Sequence, residues 1–115
     1  MKYLKYIIMK TINIKGYVTS FDKKKIYFRI IDIEHIEKLN SLYNKYDSKH
    51  TFVKNDIIKV LINKNTKIEG DLIKLDNLIS NELLINLYIR PFSFKNEKNE
   101  LIEGYSFISN RILIY

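Results

Sequence analysis

The sequence has no cysteine, tryptophan, alanine or glutamine, and it has only three glycines and one proline. The lack of cysteine excludes disulfide bridges and thiolate zinc sites. The lack of cysteine and the lack of a secretory signature at the N-terminus together favour an intracellular protein of the cytoplasm or nucleus, in a host cell if the protein is viral. No apolar run approaches the roughly 18 residues of a membrane span, so no membrane partner is expected.

Signals of catalysis are also missing. The two histidines, His35 and His50, stand in no metal-ligand spacing, and the carboxylates are scattered near predicted turns and helix ends. No P-loop, nucleophile motif or dinucleotide-binding glycine pattern occurs. We therefore expect no enzymatic activity, no cofactor, no metal site and no small-molecule substrate.

The composition is skewed towards a few residue types. Isoleucine, lysine, asparagine and tyrosine fill 59 of the 115 positions, and their codons are rich in A and T, which indicates an AT-rich genome. The formal net charge is +7, which favours a polyanionic partner. The length fits one domain over residues 1–115, with residues 1–9 as a flexible arm or an additional strand.

Strict alternation predicts strands in the first half of the chain. Residues 11–31 alternate apolar and polar side chains around the turn "SFDKKK", which predicts a β-hairpin. Gly16, inside the first strand, indicates a bulge or a bend. Residues 56–68 form a third strand region with apolar side chains on both faces.

The period changes to helical over residues 33–47, where Asp32 is the expected N-cap. Residues 75–80 are expected to form one helical turn, and residues 83–94 and 104–115 a second hairpin. The resulting order, β-β-α-β-(short α)-β-β, predicts an all-β fold with one inserted helix: a small OB-like five-stranded barrel.

The side chains that should face away from the core are mainly aromatic and basic. In "INLYIRPFSFKN" (residues 85–96), period 2 sets the inward Ile85, Leu87 and Ile89 against an opposite face that includes Tyr88 and Arg90. Aromatic rings stack on bases and a basic groove follows phosphates in proteins that hold single strands. The candidate nucleic-acid-binding residues are Lys15, Tyr17, Lys23, Lys24, Lys25, Tyr27, Arg29, Tyr88, Arg90, Phe92 and Lys95.

The stretch "RPFSFK", the charged turn after it and "EGYSF" resemble the closing hairpin of OB-fold single-stranded DNA-binding proteins of phages and large DNA viruses. "IKGYVTSFDKKKIYFRI" resembles the first hairpin of such a barrel. The resemblance implies that strands 1 to 3 and their loops grip single-stranded DNA, with the turn at 75–80 in place of the usual helix. The helix at 33–47 departs from the family pattern, where a loop joins strands 2 and 3.

Two functions remain open from the sequence. The first is binding of single-stranded DNA or RNA with little sequence specificity, in replication, recombination or repair, by stacking and phosphate contacts. The second is a structural or interaction protein whose aromatic face forms a homo-oligomer or partner interface, because aromatic residues and arginine are also enriched at such interfaces.

Overall fold

The computed structural model describes residues 10–115. The expected arm or additional strand at residues 1–9 lies outside this range. The elements within it, in chain order, are β1 (Thr11–Phe21), β2 (Lys25–Ile30), α1 (Ile33–Tyr43), β3 (Ile57–Leu61), β4 (Lys67–Gly70), a 3-10 helix (Leu72–Asp76), β5 (Glu82–Lys95) and β6 (Leu101–Ile114).

Five of these strands close into a barrel. β1 pairs antiparallel with β2 and with β5, β2 pairs with β3, and β5 pairs with β6. A short parallel pairing of β3 with β6, Val60 with Phe107 and Leu61 with Ile108, completes the circle. The closed five-stranded barrel with one helix between β2 and β3 confirms the predicted OB-like fold.

The barrel interior holds the apolar half of each alternating strand. Ile14, Phe28, Val60 and Ile85 have no exposed surface, and they belong to one continuous core. The strand faces were predictable because successive side chains in a strand point to opposite sides. The predicted inward set of residues 83–94, including Ile85, is confirmed.

Helix α1 begins where predicted and ends earlier. The Asp32 carboxylate accepts the His35 backbone N–H at 3.2 Å, and this hydrogen bond holds the pKa of Asp32 below its usual value. The helix was expected to reach residue 47, but the chain turns after Tyr43, whose carbonyl accepts the N–H groups of both Tyr46 and Asp47. This turn brings Tyr46 onto β6, where its ring meets that of Tyr105.

The third strand region is two strands and not one. β3 ends at Leu61, and a turn closed by hydrogen bonds between Asn63 and Thr66 separates it from β4. β4 lies outside the barrel and pairs parallel with β6. Apolar side chains on both faces of residues 56–68 concealed this break in the sequence.

The expected helical turn at 75–80 is a 3-10 helix that lies earlier, at Leu72–Asp76. Its position follows from backbone hydrogen bonds to β1. Ser80 N–H donates to the Val18 carbonyl, and Val18 N–H donates to the Asn81 carbonyl. Asn81 N–H also donates to the Leu78 carbonyl, so a tight turn after the 3-10 helix is held against β1.

Of the two features predicted at Gly16, a bulge or a bend, the bulge does not lie there. The register irregularity of β1 against β2 falls between Val18 and Ser20 instead. Gly16 marks a close approach: a Cβ atom there would lie 2.2 Å from the Arg29 carbonyl oxygen and 2.9 Å from Cζ of Phe28. Only glycine fits at this position, because any side chain would clash with β2.

β5 and β6 continue past the barrel as an extended hairpin, residues 90–95 paired with residues 101–106. Within residues 10–115, the pairing of β5 with β1 ends at Tyr88, opposite Thr11. Every residue from Arg90 to Phe94 is exposed, on both faces of the strand. Within residues 10–115, the helices are all too short or too polar to cross a membrane.

Candidate nucleic-acid interface

The outer surface of β1, β2 and β3 forms one aromatic and basic face, which we call the hairpin face. The strand register sets Tyr17 opposite Arg29, and Tyr27 opposite Lys59. Lys25 follows on the same side of β2 because it lies two residues from Tyr27. Four of the predicted residues are therefore brought together here.

Each tyrosine of the hairpin face has a cation against its ring. The Arg29 guanidinium carbon lies 5.5 Å from the centre of the Tyr17 ring, and Lys25 Nζ lies 5.8 Å from the centre of the Tyr27 ring. Arg29 Nη1 also donates to Asn55 Oδ1 at 2.8 Å. These contacts place one cation against each of the two half-buried rings.

A shallow hollow of about 480 Å³ lies at the β1 side of the hairpin face. Tyr17 and Arg29 form one wall, and Ile79 and Ser80 form the opposite wall. The hollow places an aromatic ring, a cation and an apolar side chain around one opening. An aromatic ring and a cation are the two surfaces that hold a base and its phosphate in proteins that bind single strands.

The turn between β1 and β2 presents the lysines Lys23 to Lys25. Its shape is fixed by Asp22, whose Oδ1 accepts the backbone N–H groups of Lys24 at 2.7 Å and of Lys25 at 3.0 Å. The Lys24 N–H is the main reason why the pKa of Asp22 lies below its usual value. The carboxylate accepts hydrogen bonds inside the turn, Lys23 and Lys24 are exposed, and the Lys25 ammonium lies against the Tyr27 ring.

Lys15 lies on the same side of β1 as Tyr17, and its ammonium group is close to an acidic side chain. Its Nζ lies 3.9 Å from Glu82 Oε1 and 5.4 Å from the centre of the Tyr115 ring. Its backbone N–H donates to His35 Nδ1 at 3.1 Å, which ties β1 to the first turn of α1. Lys15 therefore differs from Arg29 and Lys25 in having a carboxylate within 4 Å of its cation.

The extended hairpin carries the second predicted group. Arg90 and Phe92 share one face with Phe94, and Lys95 lies on the opposite face because it is an odd number of residues away. Phe92 is 40% exposed and Phe94 is 53% exposed, and their rings stack at 6.1 Å.

The Phe92 ring lies directly over the backbone of β6. A Cβ atom on Gly104, which pairs with Phe92, would stand 2.5 Å from its Cζ atom. The ring occupies the space that any other residue at position 104 would fill. Gly104 therefore sets where Phe92 lies on the hairpin.

The hairpin face and the extended hairpin belong to one continuous outer surface. Lys25 of β2 pairs with Leu61 of β3, Leu61 pairs with Ile108 of β6, and Ile108 pairs with Tyr88 of β5. The second of these pairs belongs to the parallel pairing that closes the barrel. A hollow of about 440 Å³ is lined by Leu61, Ile108, Arg90 and Phe92 among others. Tyr88 is half-buried at the base of the extended hairpin.

Two side chains of this surface were not among the residues predicted from the sequence. Lys59 is exposed beside Tyr27, and its alternation with the buried Ile58 and Val60 was a usable signal. Asn55, which holds the Arg29 guanidinium, has a positive φ of 76° in the turn before β3, and its contact across 26 residues left no local pattern.

Over residues 10–115, no three histidine or acidic side chains are grouped so that they could hold a metal ion.

By its fold, the chain is a small OB-like barrel protein with a basic and aromatic outer surface. No protein-family model matches it, and no curated protein matches its sequence. Solved structures similar to it include the mitochondrial single-stranded DNA-binding protein Rim1 of S. cerevisiae, with a TM-score of 0.46 at 7% identity, covering 93% of this chain and 94% of that one. A selenomethionine-labelled crystal of Rim1 gives a TM-score of 0.44 at 9% identity, with coverages of 94% and 96%. At these identities and TM-scores, neither structure transfers a function or a residue role to this chain.

Proposed function

We propose that this protein binds single-stranded nucleic acid, DNA in the first place, with little sequence specificity. The observation that carries the proposal is the pairing of Tyr17 with Arg29 and of Tyr27 with Lys25 on the hairpin face. Stacking of a base on an aromatic ring contributes roughly 1 to 3 kcal/mol and is tolerant of sequence, because every base has a flat face. The adjacent cation is then close to the phosphate that follows the base.

The charge of the hairpin face supports the same function. Among the residues that the structure describes, Lys25, Arg29, Lys59 and Arg90 take part in no ion pair. Cations without a carboxylate partner can neutralise phosphates and release their counterions, which is the main source of affinity in sequence-independent binding. Arg111, on the other side of the barrel, is instead engaged by Glu69 through two hydrogen bonds of 2.9 and 2.8 Å.

In the proposed complex, the nucleic-acid strand crosses the hairpin face and continues onto the extended hairpin. Tyr17, Tyr27, Tyr88 and Phe92 stack on bases; Lys15, Arg29, Arg90 and Lys95 contact phosphates, with the lysines 23–25 as an outer electrostatic contact. The contribution of Lys15 is expected to be small because Glu82 already neutralises it. A phosphate can reach Lys95 if the nucleic-acid strand passes around the edge of the extended hairpin, because Lys95 lies on its opposite face.

The biological setting we propose is protection of single strands inside a cell during replication, recombination or repair. The AT-rich residue usage supports a source such as a phage or a large DNA virus. The test is the affinity for a dT oligonucleotide as a function of salt, since contacts to Z phosphates give a log-log slope of about −0.7Z. Competition by double-stranded DNA and by RNA identifies the preferred polymer, and absence of binding at low salt would refute the proposal.

A second function, self-association or protein binding, is favoured by one observation. Phe92 and Phe94 are exposed together on the extended hairpin, where Leu101 is also exposed. Exposed aromatic pairs are common at protein interfaces. Light scattering of wild-type protein and of Arg90→Glu separates the two functions: loss of assembly with unchanged DNA affinity assigns the extended hairpin to an interface.

A further inference from the structure

The side chain of Arg29 is held by a turn that lies far from it in the sequence. Its Nη1 donates to Asn55 Oδ1 at 2.8 Å, across 26 residues. The Asn55 N–H donates to the Ile30 carbonyl at 2.8 Å, and the Ile30 N–H donates to the Asp56 carbonyl at 2.9 Å. The turn that holds the Arg29 side chain is therefore bonded to the strand that carries it.

The backbone at position 55 favours few residue types. Asn55 is the third residue of a turn that the Asp56 N–H closes by donating to the Val53 carbonyl at 3.1 Å, and its φ is 76°. Glycine, asparagine and aspartate adopt a positive φ most readily. Of these three, only asparagine brings an uncharged side-chain oxygen to Arg29. The Asp56 carboxylate stays within the turn, where its Oδ2 accepts the Val53 N–H at 2.8 Å.

Arg111 shows the charged alternative in the same molecule. Its Nε and Nη2 donate to the two carboxylate oxygens of Glu69 at 2.9 and 2.8 Å, so an anion occupies this edge of the guanidinium. Arg29 instead uses Nη1 for its contact with Asn55, and within residues 10–115 it takes part in no ion pair. The Nε–Nη2 edge, which matches the geometry of a carboxylate or a phosphate, is thus not committed to a carboxylate in Arg29.

We propose that Asn55 is a positioning residue for Arg29: its neutral amide orients the guanidinium and leaves the charge for a phosphate of the bound strand. This inference rests on the proposed function and names a residue on which its phosphate contact depends. A long side chain that is ordered before binding loses less conformational freedom on binding, which raises the affinity. A carboxylate at position 55 would orient Arg29 as well, but it would compete with the phosphate for the cation.

The test measures the affinity of the full chain for a fluorescent dT oligonucleotide by anisotropy, as a function of salt. Asn55→Gly retains the positive φ and removes the amide, so we expect about three- to tenfold weaker binding, the range for ordering one long side chain. Asn55→Asp should bind more weakly than Asn55→Gly. Its log-log salt slope should be less steep than that of the wild type by about 0.7, because one phosphate contact is lost.

Stability measurements distinguish this role from a purely structural one. Asn55→Asp keeps the turn and places a carboxylate against Arg29, so its urea midpoint should equal or exceed that of the wild type although its binding is weaker. In an Arg29→Gln background, Asn55→Gly should cause no further loss of affinity. Asn99→Gly is the matched control: Asn99 also has a positive φ, 62°, in the turn between β5 and β6, and its substitution should change the affinity by less than about twofold.

The outcomes separate this proposal from the proposed function. Absence of wild-type binding at low salt would refute both. If the wild type binds and Arg29→Gln weakens binding, the proposed function stands, and wild-type affinity of Asn55→Asp would then overturn the positioning role alone. A loss in Asn55→Gly that persists in the Arg29→Gln background would also overturn it, because Asn55 would then act independently of Arg29.

Discussion

The Arg29 guanidinium lies beside the Tyr17 ring across the β1–β2 pair, 5.5 Å from the ring centre. If this ring stacks on a base, Tyr17→Ala should weaken dT-oligonucleotide binding roughly 5- to 150-fold, which corresponds to 1 to 3 kcal/mol. Tyr17→Phe keeps the flat ring and should bind nearly as the wild type does. Fluorescence anisotropy measures both; an equal loss in the two variants would mean that the hydroxyl, and not stacking, is important.

The phosphate role of Arg29 is tested by salt dependence. Arg29→Gln should make the log-log slope of affinity against salt less steep by about 0.7, the value for one phosphate contact to a single strand. Arg111→Gln is the matched control, because that guanidinium is already held by Glu69. A change of slope in Arg111→Gln but not in Arg29→Gln would place the nucleic acid on the other side of the barrel.

The position of the Phe92 ring depends on Gly104. Gly104→Ala should displace this ring, because the new Cβ atom would lie 2.5 Å from Phe92 Cζ, and binding should weaken if the ring stacks on a base. In a Phe92→Ala background the same substitution should have little effect on affinity. A double-mutant cycle measures this coupling, and additive effects would show that Gly104 acts independently of Phe92.

Gly16 should be required for stability. Gly16→Ala places a Cβ atom 2.2 Å from the Arg29 carbonyl oxygen, so β1 and β2 must separate. We expect the free energy of unfolding to fall by about 1 to 3 kcal/mol, as for other overpacked sites. Urea unfolding measures the change, and Ser20→Ala, at an exposed position of the same strand, should stay within about 0.5 kcal/mol. An unchanged midpoint in Gly16→Ala would contradict the close approach.

Stability should decrease in acid. The His35 N–H lowers the pKa of Asp32, and the Arg111 guanidinium lowers the pKa of Glu69. A carboxylate whose pKa is lower in the folded state stabilises the fold at neutral pH, and that contribution is lost as the pH falls through the lowered folded-state pKa. Asp32→Asn retains an N-cap that does not titrate, so its urea midpoint should decrease less between about pH 6 and pH 3. An identical decrease in both proteins would exclude Asp32 as a source of the acid sensitivity.

The sequence predicted the parts of this fold that depend on local pattern. Period 2 identified the inward Ile85 and the outward Tyr17 and Tyr27, because a strand has only two faces. It could not place Tyr17 beside Arg29, since that pairing depends on the register of two strands and on a bulge after Val18. The sequence also could not show that β5 extends beyond the barrel, because Phe92 and Phe94 are apolar and would suit a buried strand as well as an exposed one.

The ion pair of Lys15 and the position of Lys95 were unpredictable for the same reason. Charge and alternation place Lys15 on the outer side of β1, but only the tertiary fold brings Glu82 to its ammonium group. Lys95 is an odd number of residues from Arg90, so alternation places it on the opposite face of β5. Its positive charge alone does not show this. Binding sites are formed by residues far apart in the chain, so local patterns list candidates without arranging them.

The parallel pairing of β3 with β6 also has a consequence for how the chain folds. Only Val60 with Phe107 and Leu61 with Ile108 join these strands, and they bring together segments that are distant in sequence. The β1–β2 and β5–β6 hairpins are local and can form early, whereas closing so long a loop costs entropy before two residue pairs can offset it. We expect closure to be the late, slow event of folding, with the surface that joins the hairpin face to the extended hairpin completed last.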